Sequence, residues 1–435
     1  MIWLYRILYL PVFLIVLPYY GLRMWRRGGY AKDFKHRLGF FHRLAAPAAG
    51  KKRIWLQAVS VGEILAVGPL IKALGINNNI EIVITTTTST GYAEALKRYQ
   101  KGTLCIGLFP LDFWPCTNLA WKRIQPDVVM LTESELWPEH LHRAQASGTL
   151  TFLVNARISE KSFARYKKVS SLARRLLKKI DFIYATNQLN RNRLLELGAI
   201  PETIESFGNL KFDVAVGEPI SASARSELLR ELGFGSPPDQ PQPFILLGSS
   251  TWPGEEQALL KIQARLIHGG TDCRLLLVPR HAERAPEITS RLKQQSLSWH
   301  QRSTQKSAPE GIRIYLADTT GELARLTQIA DLAFIGKSLP PNDGGQTPIE
   351  AAGLGIPILM GPNMSNFKQV TRSLLRSGAA RTVENEQALE MNVKELAGNF
   401  KARESMSKAG LAWHKRNRGS SQRIAGDIIS KLNLR

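Results

Sequence analysis

The chain has 435 residues, with 58 Lys+Arg against 36 Asp+Glu and a formal net charge of +22. It is too long for one ordinary core, so two domains are expected, and the basic excess implies an anionic partner: nucleic acid, phospholipid headgroups or a phosphorylated substrate. The three cysteines, Cys105, Cys116 and Cys273, are widely spaced, which excludes a disulfide framework or a zinc site and fits a reducing compartment.

The first element, Ile2 to Tyr20, is almost wholly apolar or aromatic, broken by Arg6, Pro11 and Pro18. Its length approaches the ~20 residues that span a bilayer. Tyr5, Tyr9, Tyr19, Tyr20 and Trp25 suit the interfaces. Arg23, Arg26, Arg27, Lys32, Lys35 and Arg37 follow, which puts the rest of the chain on the cytoplasmic side. A cleaved signal peptide fits worse, because no small-residue cleavage site is present and the charge lies on the wrong side. A hairpin dipping into one leaflet is the other reading. In either uncleaved form the protein works at a membrane surface, and the basic surplus reads as attraction to anionic lipid.

From Ile54 onward, apolar strand-like runs alternate with helical patterns. Strands are expected at Ile54 to Val59, Glu81 to Thr86, Leu104 to Phe109, Asp127 to Leu131, Leu150 to Val154 and Asp181 to Ala185. Helices are expected at Glu63 to Leu74, Thr90 to Tyr99 and Phe163 to Lys179. The stretch Gly233 to Pro243 is a linker by composition. Strands resume at Phe244 to Leu247, Arg274 to Val278, Ile312 to Leu316, Leu332 to Ile335 and Ile356 to Met360. The tail from Ala388 to Leu434 reads as helices only. Such alternation predicts α/β architecture: two doubly wound, Rossmann-like domains facing each other across a cleft.

Val59-Ser60-Val61-Gly62-Glu63 sets a carboxylate at a strand-to-helix turn, where open α/β sheets bind ligands. Glu63 is either a general base at the lip of a crevice or a helix-start glutamate placed for the dipole, which favours its ionised form. Thr132 to Pro138 puts Glu133 and Glu135 just beyond another strand end, and Lys211 lies near the domain boundary. In the second half, Gly248-Ser249-Ser250-Thr251 leaves room for backbone N–H groups to meet an anion. Pro279-Arg280-His281 offers a bidentate phosphate ligand, or only surface basicity. Asp318 to Leu323, which includes Gly321 and Glu322, is a further strand-to-helix turn with capping character. Gly344 to Ala352 is a glycine loop feeding a helix, with Pro348 suited to its first turn and Glu350 able to accept from ribose hydroxyls. No Asp-x-Asp sequence and no His/Cys cluster with metal-ligand spacing is present, so no metal and no cofactor is expected.

Taken in order, these pieces closely resemble the 3-deoxy-D-manno-octulosonic acid (Kdo) transferases of lipopolysaccharide assembly. The resemblance runs from the N-terminal apolar segment through Ser60 to Glu63, Thr85 to Tyr92, Glu133 to Pro138, Asn155-Ala156-Arg157 and Gly208 to Asp213. It continues through Gly248 to Glu256, Pro279 to Arg284, Ala317 to Leu323 and Gly344 to Gly361. The family implies a GT-B glycosyltransferase fold and inverting transfer of Kdo, without a metal, from CMP-Kdo to the lipid A precursor (lipid IVA). By position it implies Glu63 as general base and Glu133 with Lys211 as a transition-state-stabilising pair. It likewise implies a CMP site made of Ser249, Pro279, Arg280, Gly321, Glu322, Leu323, Thr347, Pro348, Ile349 and Glu350.

The layout then expected is an anchor at residues 1–22, a basic juxtamembrane segment at 23–50 and an acceptor-binding domain at 51–217. A linker at 218–243 and a CMP-Kdo-binding domain with a helical tail at 244–435 complete it. The expected place is the cytoplasmic face of the inner membrane of a Gram-negative cell, and no nucleic-acid partner is expected. Gln57 stands where the family often has His, Gly336-Lys337-Ser338 replaces a common Gly-Gly-Ser, Asn342-Asp343 precedes the Gly-Gly pair where His is frequent, and Thr347 replaces the usual Asn. The alternatives are another inner-leaflet GT-B transferase that uses a UDP-sugar, and a silent membrane-tethered binding protein.

Overall fold

The computed structural model describes residues 2–26, 33–213, 219–236 and 241–433. Arg27 and Lys32 of the basic segment, the boundary residues 214–218 and Pro237 to Gln240 of the linker lie outside them, as do the side chains of Tyr20, Arg23, Trp25 and Arg26. The chain divides into two compact units, Met1–Val214 with Asn417–Arg435, and Ala215–Arg416.

In the first unit the described strands are β1 (Lys52–Ala58), β2 (Ile80–Thr86), β3 (Cys105–Leu108), β4 (Val128–Thr132), β5 (Leu150–Ala156), β6 (Phe182–Ala185) and β7 (Ile204–Ser206). They form a seven-stranded sheet in the order β3-β2-β1-β4-β5-β6-β7, every pair parallel. Continuous apolar runs such as Val128 to Leu131 are buried, as strands covered by helices on both faces require. The second unit has β8 (Phe244–Thr251), β9 (Cys273–Pro279), β10 (Trp299–Gln301), β11 (Ile314–Leu316), β12 (Leu332–Ile335), β13 (Ile358–Met360) and β14 (Ala380–Thr382). Its order is β10-β11-β9-β8-β12-β13-β14, again parallel throughout. The two expected doubly wound domains are thus present. In each sheet the winding reverses once, between β1 and β4 and between β8 and β12, and such switch points open a crevice at the carboxyl ends of the strands.

Three sequence expectations need correction. Glu63 to Leu74 is two helices, Val61–Ala66 and Gly68–Gly75, because Pro69 cannot donate to the preceding turn. Residues 218–243 are not a plain linker, since Ala222–Glu231 is helical, with Leu228 and Leu229 buried in the second unit. The helical tail does not end in the second unit. Its last helix, Ser420–Asn433, buries Ile424, Ala425, Ile428 and Leu432 in the core of the first unit, beside Leu70, Ile71 and Leu74. The amphipathic stripe is plain in the sequence, but it does not say which core it fills.

The N-terminal helix, Ile2–Arg26, is continuous through Pro11 and Pro18, and its segment Ile2–Tyr19 is long and apolar enough to cross a membrane. Arg6, which interrupts the apolar run, is held by Glu139 through Nε–Oε2 (2.9 Å) and Nη2–Oε1 (2.7 Å). Tyr5 donates to Asp112 at 2.7 Å, and Tyr9 stacks on Phe113.

Candidate active site

In the first unit, the switch point places Glu63 after β1 and Glu133 after β4. Glu63 accepts from the backbone N–H of Val59 (2.9 Å), the hydroxyl of Ser60 (3.3 Å) and the hydroxyl of Thr132 (2.6 Å). The last bond crosses from the β1 edge to the β4 edge and fixes the carboxylate over the crevice. Burial, aided by the negative charge of Glu133, pushes the Glu63 carboxyl above its ordinary range, against those hydrogen bonds. Desolvation thus acts against the ionised form that the helix start favours. A carboxylate made more basic in this way is better matched to taking a proton near neutral pH.

Glu133 adopts a left-handed backbone (φ 56°). Its carboxylate meets Nη2 of Arg157 at 2.6 Å and Nζ of Lys211 at 3.5 Å. Lys211 comes from a turn far along the chain, Leu210–Asp213. The backbone N–H of Leu210 donates to Oδ1 of Asn155 (3.1 Å), at the end of β5, and Asp213 accepts from the backbone N–H groups of Gly419 and Ser421. The fold thus brings Glu63, Glu133 and Lys211 to one edge of one sheet.

Two neighbours carry weight that their types alone did not announce. Glu135 lies beside them, and burial with the charges of Glu63 and Glu133 pushes its carboxyl up to about 7. Gln57, fully buried, donates to Thr87 (2.9 Å) and accepts from Thr85 (2.8 Å), so its amide is satisfied where the family often has His.

In the second unit, the predicted nucleotide residues lie at the carboxyl edge of its sheet. Ser249 is buried near the end of β8, and its carbonyl accepts from the N–H of Gly336 after β12. Pro279 ends β9, and Arg280, whose N–H donates to the Thr251 carbonyl, is exposed and forms no ion pair among the described residues. Gly321 has φ +88°, a conformation costly for a residue with a Cβ. The Glu322 side chain is already engaged by Arg302 and Thr319, which lowers its pKa, so Gly321 to Leu323 offer a ligand chiefly backbone. Thr347 accepts from the N–H of Ile349 (3.4 Å), and Pro348 precedes the helix Ile349–Gly353. Burial raises the pKa of Glu350, whose carboxyl accepts no hydrogen bond within the described protein.

Glu255 opens the helix Glu255–His268. It is almost fully buried and accepts from the backbone N–H groups of Trp252 (2.9 Å), Lys337 (2.9 Å), Ser338 (2.9 Å) and Leu339 (3.2 Å). One carboxylate therefore ties the β8 turn to the β12 turn. The latter turn in turn holds the glycine loop, through Gly345 N–H to Lys337 O and Gln346 N–H to Gly336 O. Among the described residues, no group of three or more His, Cys, Asp or Glu side chains is disposed to hold a metal ion.

A family model described as 3-deoxy-D-manno-octulosonic-acid transferase (kdotransferase) matches residues 32–214. The chain is 33% identical over 419 residues to the 3-deoxy-D-manno-octulosonic acid transferase of Bordetella pertussis, covering 93% of this chain and 94% of that protein. It is 29% identical over 428 residues to the protein of the same description from Haemophilus influenzae, covering 97% of each. Among solved structures it is similar to a glycosyltransferase from Rickettsia africae, with a TM-score of 0.58 and 16% identity over 88% of this chain and 98% of that one, a likeness of fold alone.

Proposed function

The chain belongs to the 3-deoxy-D-manno-octulosonic acid transferase family, and we propose that it moves Kdo from CMP-Kdo onto lipid IVA, the phosphorylated, acylated lipid A precursor, inverting the anomeric centre in lipopolysaccharide biosynthesis. That it is a glycosyltransferase follows from its family. The observation that carries the finer reading is the Glu63 carboxylate, oriented by three donors and pushed up in pKa at a sheet switch point, with the Glu133 and Lys211 pair on the neighbouring strand edge.

In this reading Glu63 takes the proton from the acceptor hydroxyl as that oxygen attacks the anomeric carbon. The sugar becomes oxocarbenium-like as the C–O bond to the CMP phosphate breaks. Glu133 sits where a positive centre is stabilised, and Lys211, held against it, supplies a cation for the departing phosphate or the sugar carboxylate. The second unit binds the nucleotide: Arg280 meets phosphate, the backbone of Gly321 to Leu323 and the Ser249 turn line the base and phosphate, and Glu350 receives ribose hydroxyls. Thr347 to Ile349 lead into that position. The N-terminal helix attaches the protein to the cytoplasmic face of the inner membrane, where the acceptor resides.

The test is transfer from CMP-Kdo generated in situ to lipid IVA by the full chain in detergent, with mass spectrometry of the product. Addition of Kdo is expected, with CMP rather than UDP raising the melting temperature. Glu63→Gln should lower kcat by about 10²- to 10⁴-fold while keeping protection by CMP. Unchanged product formation by that variant would overturn the base assignment, and protection by UDP alone would overturn the donor.

A further inference from the structure

Beside the start of the N-terminal helix, the first unit carries a pocket of about 330 Å³ lined by Ile2, His142, Gln145, Arg175, Lys178 and Lys179. Four of the six can be cationic, and none of those four forms an ion pair or side-chain hydrogen bond within the described protein. The carboxylate felt by Lys179, that of Glu139, is taken up by Arg6. Positive charge is therefore gathered around a concavity where, among the described residues, no carboxylate pairs with it. Burial lowers the pKa of Lys179, against the pull of Glu139, and burial with the charge of Lys179 lowers that of His142.

The walls say what kind of anion would enter. Ile2 opens an apolar helix whose outer face is bare, with Trp3 70%, Ile7 68% and Ile15 78% exposed. On the other side, Leu172 shares a face of the helix Ser170–Leu177 with Arg175, three residues on, and is itself exposed. A ligand with charge at one end and hydrocarbon at the other matches both surfaces, whereas a free anion uses only the first. We propose that this pocket binds the phosphate of an anionic phospholipid headgroup, with Arg175, Lys178 and Lys179 as its ligands and the acyl chains lying along the N-terminal helix. This rests on the reading of that helix as the membrane attachment. It also gives the docking of Tyr5 and Arg6 on Asp112 and Glu139 a use, since those bonds hold the helix start against the cations.

The test is native mass spectrometry and thermal unfolding of the full chain in a neutral detergent, titrated with phosphatidylglycerol, phosphatidylcholine or inorganic phosphate. A single phosphatidylglycerol adduct is expected, bound at least tenfold more tightly than phosphatidylcholine. The variant R175Q/K178Q/K179Q should lose at least tenfold in that affinity, about fivefold per charge being the ceiling. A control, K293Q/K306Q/K401Q on the second unit, should lose less than twofold. Retained affinity in the pocket variant, an equal loss in the control, or equal stabilisation by inorganic phosphate would each overturn the lipid assignment. Kdo transfer by the pocket variant in detergent should keep its acceptor KM, and a raised KM would reassign the pocket to the acceptor. Failure of transfer by the parent chain, with the adduct still formed, would sink the functional reading and leave the pocket standing.

Discussion

Glu135→Gln tests the electrostatics of the first-unit site through stability. The Glu135 carboxyl has one buried oxygen with no hydrogen-bond partner among the described residues, and burial with the charges of Glu63 and Glu133 lifts it from an ordinary 4.5 to about 7. Between those values the folded protein holds a proton that the unfolded chain releases, so stability is fully present below about pH 4.5 and drains away as pH rises through about 7. At 1.36 kcal/mol per pH unit that interval corresponds to about 3 kcal/mol, reduced to about 2 kcal/mol by solvent at the carboxyl's open edge. Glutamine cannot ionise and removes this cost. The variant should match the parent near pH 4.5 and gain about 2 kcal/mol at pH 8, a rise of roughly 4–8 °C in melting temperature for a unit of this size. Thermal unfolding of both proteins in the same detergent at pH 5, 6, 7 and 8 measures it. A gain independent of pH, or a variant less stable than the parent at pH 8, would refute the reasoning.

Glu133→Gln removes a charge that raises Glu63, so the acidic limb of kcat/KM against pH should move to lower pH; a shift the other way contradicts the assignment. Gly345→Ala puts a Cβ 2.3 Å from Sδ of Met364 at φ +68°, and should cost about 1–3 kcal/mol in thermal stability and weaken protection by CMP. Arg6→Ala strands Glu139, which is 2% exposed, and should destabilise the first unit by about 3 kcal/mol; adding Glu139→Gln should recover part of that in a double-mutant cycle followed by thermal unfolding.

A long buried strand such as Val128 to Leu131 is legible because four consecutive apolar residues flanked by turns leave few other readings. The three-residue strands Ile204–Ser206, Trp299–Gln301 and Ala380–Thr382 carry no such signal, and pairing to a neighbour defines them. Glu63 and Glu133 were each visible as a carboxylate past a strand end. Their nearness depends on β1 and β4 being adjacent, which spacing along the chain does not encode. Lys211 is further removed: its place depends on Asn155 holding Leu210 and on Asp213 capping the last helix. The turn alone marks Glu63 as a candidate base, whereas the roles of Glu133 and Lys211 are implied only by the resemblance. Glu255 was hidden for a different reason, since a glutamate opening a helix looks the same whether it faces water or four backbone N–H groups.

Six non-glycine residues among those described have positive φ, and four of them sit at carboxyl edges near the two switch points: Glu133 and Asn155 in the first sheet, Ser250 and Lys337 in the second. A left-handed residue with a Cβ costs about 1–2 kcal/mol, so it persists only where its surroundings over-determine it. For three of the four those surroundings are the side-chain bonds already described: Arg157 and Lys211 on Glu133, Leu210 N–H on Asn155, and Glu255 on the Lys337 N–H. The sheets supply the stability, and their edges hold the strain. In the first unit this also explains the path of the chain end. Were the last helix packed elsewhere, Asp213 would lose two backbone donors, the turn carrying Lys211 would lose its fixed point, and the charge held against Glu133 would be free to move away. A carboxylate and an ammonium kept in register by a helix more than 200 residues further along the chain (|i−j| of 206 and 208) form a site whose geometry is inherited from the fold as a whole rather than from the loops that bear it.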